Sequence, residues 1–346
     1  MSGDLIFYGA YGYTGRLVTE RAVQLGLSPV LAGRDAAKVE RLADEHGLRW
    51  RAFDAGDAAA ELGDAAAVLN MAGPFSQTAM PMVDACLATG THYVDITGEI
   101  SVFEALHARD NEAGAAGVVL LPGAGFDVVP SDCLAAHVAR KLPGATSLQL
   151  VIGGLNQMSR GTAKTGLESI AAGTKVRRGG KIVTLEEAPR GTADLGHGLK
   201  GTVGVGWGDV ATAYYSTGVP DIDVFFEASP ELERMAGMSG LMRGFMGSAL
   251  GQWLGRKAID RMPAGPDADT RETARGVMLA EVWDDAGGHA AARLDIPEGY
   301  KLTSMTALEA VRRVAAGDVA AGYRTPSTAF GPDFIMGFQG VSRSDL

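Results

Sequence analysis

The sequence predicts an α/β protein built on a doubly wound parallel sheet, with a second α+β domain inserted before a C-terminal return segment. Three observations predict it. Short apolar runs alternate with helix-length segments over residues 1–130. Each run ends in glycine or another turn residue. The first run, Leu5–Tyr8, breaks into Gly9, Gly12 and Gly15 at three-residue spacing and resumes as a helix. Strands that alternate with helices pair in parallel, because each crossover needs a helix to bring the chain back.

The opening has the shape of a strand, a phosphate loop and a helix, the Rossmann arrangement. Gly9 lets the chain leave the strand in a tight turn. Gly12 removes a Cβ where a pyrophosphate must approach the backbone, and Gly15 lets the helix sit close to the strand. Tyr11, Tyr13 and Thr14 complete the loop as cofactor-binding residues, and the new helix offers N–H groups and its positive end to phosphate. The second strand, Pro29–Ala32, ends in Gly33-Arg34-Asp35. An acid near this point serves a ribose 2′-hydroxyl, whereas an Arg accommodates a 2′-phosphate. Arg34, with Lys38 one turn later, therefore predicts NADPH as cofactor. Asp35 reads as the N-cap of the next helix and Gly47 as its stop.

The third strand, Trp50–Phe53, ends at Asp54. The fourth, Ala67–Met71, is closed by Ala72, Gly73, Pro74 and Phe75, and a helix is expected over 79–88. The fifth, His92–Ile96, precedes Ser101 and Glu104, which read as a capping box. The sixth, Val118–Leu121, ends at Pro122-Gly123. Ligands of such sheets sit at the carboxyl ends of the strands. That places Gly9–Gly15, Arg34, Asp54, Gly73–Phe75, Thr97–Glu99 and Gly123–Asp127, with Phe126 among them, along one edge.

The texture changes near Pro130. Ser147–Ile152, Lys181–Leu185, Val210–Tyr215 and Asp221–Phe226 read as strands of a more antiparallel sheet, with a helix beginning near Gly161. Val277–Trp283 and Ala290–Asp295 read as a hairpin, and Leu302–Ala315 as a helix. The expected division is a dinucleotide domain over 1–130, a substrate or dimerisation domain over 131–300, and a segment over 301–346 that returns to the first domain.

The 346 residues are ample for two domains. A net charge of −10 without a long basic tract argues against nucleic-acid binding. Two cysteines, Cys86 and Cys133, make no disulfide framework, which fits a reducing compartment. The chain enters a strand almost at once, and no apolar run reaches the roughly 18 residues of a membrane span. A cytoplasmic protein is expected.

Several runs together resemble one family. Gly9–Gly15, Ala72–Phe75, His92–Glu99 (H-Y-V-D-I-T-G-E) and Gly125–Asp132 (G-F-D-V-V-P-S-D) are similar to segments of the saccharopine dehydrogenase-like oxidoreductases. Ser159–Thr162, Gly299-Tyr300 and Gly322–Pro326 resemble later parts of the same family. The branch most resembled contains the trans-acting enoyl reductases, which reduce acyl chains held on polyketide synthases. The resemblance implies a nicotinamide-dependent reductase whose C-terminal segment returns to the dinucleotide domain. Tyr11 in the loop and Arg160 in the later turn depart from the family pattern.

Hydride transfer needs a nicotinamide held against an electrophilic carbon, and a proton donor assists it. None of the eight tyrosines has Lys four residues on, which disfavours the Y-x-x-x-K pair of short-chain dehydrogenases. Glu99 and Asp127 follow strand ends, where they can face the nicotinamide. Their competing readings are structural: Glu99 capping a helix or ordering a loop, and Asp127 bonding backbone N–H groups. Tyr93 and Tyr214 or Tyr215 are phenolic candidates, with an aromatic core role as the alternative. The six histidines show no metal-ligand spacing, and no G-x-S-x-G elbow is present.

Residues 234–261 stand apart. Met235, Met238, Leu241, Met242, Phe245, Met246, Leu250, Trp253 and Leu254 recur near helical spacing, among five basic residues and one acid, Asp260. A substrate lid, a peripheral membrane contact and a carrier-protein docking face are the functional readings; packing within the domain or across a homodimer is the structural one. The leading expectation is an NADPH-dependent oxidoreductase that reduces a C=C, C=N or C=O bond in an apolar small molecule or a carrier-bound acyl chain. The alternatives are a saccharopine-type imine reductase acting on an amino acid, with Arg160, Arg177 and Arg178 as its carboxylate clamp, and a non-catalytic NADPH-binding sensor or membrane-associated scaffold.

Overall fold

The structure, a computed structural model, describes residues 3–154, 159–169 and 173–346. The first part alternates as the spacing predicts: β1 Asp4–Tyr8, α1 Tyr13–Gln24, β2 Val30–Gly33, α2 Ala36–His46, β3 Trp50–Ala52, β4 Ala65–Asn70, α3 Phe75–Thr89, β5 His92–Asp95, α4 Ile100–His107, α5 Asp110–Ala116 and β6 Val119–Leu121. The chain continues with α6 Val129–Lys141, β7 Ser147–Gly153, α7 Arg160–Ser169, β8 Thr174–Arg178, β9 Lys181–Leu185, β10 Arg190–Asp194, β11 Leu199–Gly204, α8 Asp209–Thr217 and β12 Asp221–Glu227. Four helices follow, α9 Pro230–Ala236, α10 Gly240–Gly247, α11 Ala249–Ile259 and α12 Ala268–Thr273, then the hairpin β13 Arg275–Trp283 and β14 His289–Pro297. The tail holds α13 Gly299–Ala316, β15 Gly322–Tyr323, α14 Pro326–Phe330 and β16 Ser342–Asp345.

The chain divides into two compact units, Met1–Val129 with Tyr300–Phe338, and Pro130–Gly299 with Gln339–Leu346. In the first, the sheet order among the described residues is β15-β6-β5-β4-β1-β2-β3. Every pairing is parallel. The order runs outward in both directions from β1 and β4, so their carboxyl ends flank the point where the winding reverses, the place such sheets offer to ligands. One core cluster spans the unit, from Phe7, Val18 and Leu31 to Leu69, Val94 and Leu121, and Leu308, Val311 and Val314 of α13 belong to it.

The second unit holds a mixed sheet in the order β10-β11-β12-β7-β13-β14-β16, with β8 and β9 off that path. Only the β12–β7 pairing is parallel among the described strands. The tail serves both units. β15 adds to β6, whereas β16 pairs with β14, so the segment expected over 301–346 does not return as one piece. No helix among the described residues is long and apolar enough to cross a membrane.

Three local expectations are corrected. Val210–Tyr215 is not a strand but the body of α8. Its β-branched and aromatic residues read as extended, yet Asp209 in the first turn and left-handed Gly218 at the C-cap are helix boundaries. Ser101 and Glu104 form no capping box, because α4 starts at Ile100 with Glu99 as N-cap, which puts Ser101 inside the first turn. The third helix starts at Phe75 rather than 79 and carries Pro81 within it. By contrast, Asp35 accepts from the Lys38 N–H, and Gly47 ends α2 at φ 65°, both as read.

Gly15 supplies a test of this packing. A Cβ there would lie 2.4 Å from the Gly9 carbonyl oxygen and 2.6 Å from that of Ala10, and neither backbone atom can yield. Gly15→Ala is expected to destabilise the protein by about 1–3 kcal/mol. Gly114→Ala, on exposed α5 with nothing within 4 Å of the new methyl, is expected to stabilise it slightly. Thermal melts of the two variants should shift in opposite directions.

Candidate functional site

The loop after β1 is fixed by close approaches. Gly9 has φ 82°, and a Cβ on it would lie 2.8 Å from the Ala72 nitrogen at the end of β4. Its N–H donates to the Ala32 carbonyl at 2.8 Å. Gly12 is the N-cap of α1; no side chain caps it, and no acid lies in the first turn. A Cβ on Gly12 would meet only the Gly9 oxygen, at 3.2 Å. The start of α1 therefore presents its positive end with glycine as the nearest residue, which fits a pyrophosphate. Half-buried Thr14 follows, and the Tyr13 ring meets Tyr300 edge-on at 5.0 Å between centroids.

At the end of β2 the Tyr11 ring lies against Gly33, where a Cβ would come within 2.7 Å of it. Lys38 lies 5.6 Å from the Tyr11 ring centroid, and its Nζ is 2.7 Å from Asp35 Oδ2. Arg34 is exposed, and no hydrogen bond or ion pair engages it among the described residues. The two cations thus differ: Lys38 has its charge balanced by Asp35, and Arg34 does not. Asp54 caps the short turn that follows β3, accepting from the Gly56 N–H at 3.4 Å. Burial, reinforced by the Asp54 charge, pushes the Tyr8 hydroxyl up to about 12. That hydroxyl donates to the Phe53 carbonyl.

Polar side chains bind the remaining loops to one another. Asn70, at the end of β4, accepts from the Ala72 N–H at 3.0 Å and donates to Thr78 Oγ1 and Tyr93 Oη, each at 3.3 Å. The turn Gly73-Pro74-Phe75 begins with a cis Gly73–Pro74 bond. Glu99 Oε1 accepts from the Phe75 N–H at 2.9 Å and Oε2 from the Ser76 N–H at 2.8 Å, so this carboxylate caps α3 across the loop. This is the structural of its two readings. Asp95 accepts from the Thr97 N–H at 2.9 Å, the Gly123 N–H at 2.8 Å and the Tyr93 hydroxyl at 2.7 Å. Burial pushes the Asp95 carboxyl up to about 7. Tyr93 is fully buried, which makes it a core and positioning residue rather than a donor facing a ligand.

Gly123 has φ 74°, and a Cβ on it would come within 2.9 Å of the Phe103 ring. The Phe126 N–H donates to Thr303 Oγ1 at 2.9 Å, and Thr306 Oγ1 donates to the Ala124 carbonyl at 2.8 Å, so α13 holds this loop. Asp127 lies over Gly98, where a Cβ would sit 3.1 Å from its Oδ2. Its carboxyl is pushed up to about 7 by burial, although part of the residue still meets solvent. Tyr214 belongs to the second unit, on α8. The Arg177 guanidinium lies 4.3 Å from the centre of its ring. Arg177 donates to the Val210 and Gly180 carbonyls, and Arg178 pairs with Asp223 at 2.7 Å.

The first unit thus gathers the loop glycines, Arg34, Gly73–Phe75, Glu99, Gly123 and Asp127 at one sheet edge. Sequence reading missed Asn70, Thr303 and Thr306. Their signals were a polar residue closing an apolar strand and two threonines one turn apart on a helix.

Residues 5–121 match the family model described as the saccharopine dehydrogenase NADP binding domain. Over those residues the first unit, Rossmann-type in its strand order, is thus similar to the NADP-binding domain of the saccharopine dehydrogenases. The chain is 33% identical over 154 residues to a trans-acting enoyl reductase of Mycobacterium leprae, covering 40% of this chain and 36% of that one. It is 29% identical over 163 residues to a saccharopine dehydrogenase-like oxidoreductase of Bos taurus, covering 40% and 38%. The aligned stretch thus spans little more than a third of these curated relatives. Apo saccharopine dehydrogenase (L-Glu forming) from Saccharomyces cerevisiae superposes over 100% of both chains with a TM-score of 0.67 at 13% identity, which shows a shared fold.

Asp127 gives this site a pH signature. The folded protein keeps this proton up to about pH 7, whereas the unfolded chain loses it near an ordinary aspartate value of about 3.9. Between those values the folded state binds more protons, so stability falls as pH rises and stays lower above the window. Asp127→Asn is expected to make the decline of melting temperature with pH shallower. It should not flatten it, because Asp95 titrates in the same range. An unchanged slope would mean that Asp127 behaves as an ordinary carboxylate.

Proposed function

We propose that the protein is an NADPH-dependent oxidoreductase that reduces a C=C, C=N or C=O bond in an apolar small molecule or acyl chain. The observation that carries the cofactor half of this reading is Arg34. It stands exposed and unengaged at the end of β2, where an NADP-binding domain must meet a 2′-phosphate. The N-terminus of α1, with Gly12 as its bare cap, receives the pyrophosphate. Tyr11, lying on Gly33, supplies an aromatic face beside Arg34.

When bound, the cofactor supplies a hydride, two electrons with one proton, to the electrophilic carbon. A second proton must reach the neighbouring carbon, nitrogen or oxygen. Asp127 is the group we assign to this step. Its raised carboxyl holds a proton near neutrality, at the loop after β6. Glu99 does not compete for the role, because both its oxygens accept backbone N–H groups of α3. It fixes the Gly73–Phe75 turn instead. The apolar substrate class is favoured over an amino-acid dicarboxylate by the arginines of the second unit. Arg177 is buried on carbonyl oxygens and Arg178 is paired with Asp223, which removes two of the three cations that a carboxylate clamp was expected to use.

The test is NADPH consumption against a panel of enoyl thioesters, imines and ketones with apolar chains. Turnover on none of them would remove the substrate half of the proposal. For the cofactor half, Arg34→Ala should weaken NADPH about ten- to a hundred-fold, the worth of a charge-assisted hydrogen bond, and leave NADH nearly unchanged. Equal losses for both cofactors would show that Arg34 acts on structure rather than on the 2′-phosphate. Gly12→Val is expected to abolish binding of both, with folding checked by its melting temperature.

A further inference from the structure

Helices α10 and α11 carry their apolar surface on the outside. On α11 the buried residues are Gly251 and Ile259, with Gln252 and Gly255 half-buried between them. A Cβ on Gly251 would collide with the Phe245 carbonyl of α10, and one on Gly255 would lie 2.6 Å from the Leu167 side chain of α7. Gln252 Nε2 donates to the Leu167 carbonyl at 3.0 Å and to the Met246 carbonyl at 2.9 Å. These contacts fix which side of α11 faces inward, and glycine occupies that side. The other side carries Leu250, Trp253, Leu254 and Lys257, spaced i, i+3, i+4 and i+7. Leu250 is 57% exposed, Trp253 54% and Leu254 47%; on α10, Met242 is 51% exposed and Phe245 43%. An ordinary surface helix buries its large apolar residues and shows its small and charged ones.

The charge beside this stripe is mainly positive. Arg256, Lys257 and Arg261 are exposed beside it. Asp260, the one acid within 234–261, has its Oδ1 2.8 Å from Lys164 Nζ of α7, which spends its charge toward the protein. The side chains of Leu241 and Arg243 lie outside the described residues.

We infer that the α10–α11 surface is a docking site for an anionic lipid bilayer, with Met242, Phe245, Leu250, Trp253 and Leu254 entering the headgroup boundary and Lys257 and Arg256 at the level of the lipid phosphates. Large apolar side chains with an aromatic, bordered by cations and lying along a helix, are what an interfacial helix presents to a membrane. A second copy of this chain is the weaker occupant. A two-fold contact lays two copies of the same basic border on one interface, with Asp260 as the one acid within 234–261 to oppose them. A bilayer covers every outward apolar side chain without a matched surface and brings its negative charge to the depth where the cations lie. In a chain of net charge −10, this basic border gives the attraction a local address. The inference does not depend on the cofactor or the reaction.

The experiment is flotation of the full chain with phosphatidylcholine vesicles, with and without phosphatidylglycerol, over a salt series. The protein is expected to float with phosphatidylglycerol vesicles, far less with phosphatidylcholine alone, and less as salt rises. The double substitution Trp253→Ser with Leu254→Ser should weaken vesicle binding at least about ten-fold, while melting temperature and NADPH affinity stay as in the parent. Lys257→Glu should weaken binding only to the phosphatidylglycerol vesicles. No flotation of the parent, or equal flotation of the double variant, overturns the proposal. So does a dimer in sedimentation that the double variant dissociates while neither form binds vesicles, since the face would then belong to a second copy.

Discussion

Two absent side chains hold the first unit's ligand edge together. Gly15 brings the first turn of α1 onto the carbonyls of Gly9 and Ala10, and Gly9 lets the end of β1 pass against Ala72 beyond β4. A methyl at either position would meet backbone rather than a movable side chain. The two contacts meet where the strand order reverses, so the same pair of glycines fixes the helix terminus and the gap between β1 and β4. Phosphate binding by a helix end depends on that end being aimed and bare, and both conditions follow from this packing.

Around this junction, buried and half-buried polar side chains act as fasteners, the catalytic candidate Glu99 among them. Asn70 joins the β4 turn to Thr78 and Tyr93. Asp95 joins the loops after β5 and β6, and Glu99 caps a helix from another loop. A buried carboxylate that accepts three hydrogen bonds is costly to leave half-satisfied, so the three loops form together or not at all. The result is an edge whose shape is set before any ligand arrives, which is what hydride transfer asks of a scaffold. Asp127 is different in kind. It rests on Gly98, and its shift comes from burial alone.

The parallel sheet and the glycine loop were legible because they rest on local rules: short apolar strands, a helix per crossover, and glycine where backbone meets backbone. Asp35 and Gly47 were legible for the same reason. Glu99 was ambiguous, because its partners, Phe75 and Ser76, lie more than twenty residues away and no local pattern announces a cap supplied by another loop. Val210–Tyr215 misled because β-branched and aromatic residues favour strands on average, while the flanking Asp209 and Gly218 decide the matter in this setting. β15 has two residues and β16 pairs far back in sequence with β14, so neither has a periodicity of its own to read.

The match to a known domain ends at residue 121, so what distinguishes this chain lies mainly beyond it. Two groups of arginines there bear on a substrate carboxylate. Arg177 and Arg178 are consumed by carbonyls and Asp223, and they hold β8 to α8 and β12. Arg275 and Arg293 line a cavity of about 390 Å³ with His197, Glu227 and Asp295, where Arg293 is already paired with Asp295 at 3.1 Å. Arg178 and Arg293 are each opposed by an acid and Arg177 is buried on carbonyls, so these three offer no open charge to a dicarboxylate, in keeping with the apolar substrate proposed above. An apolar substrate is scarce in water and concentrated in a bilayer. A reductase seated on lipid through α10 and α11 would draw on that concentrated pool while its charged cofactor arrived from solution. The outward apolar helices and the engaged Arg177 and Arg178, read independently, are thus two features of the same unit that one greasy substrate would account for.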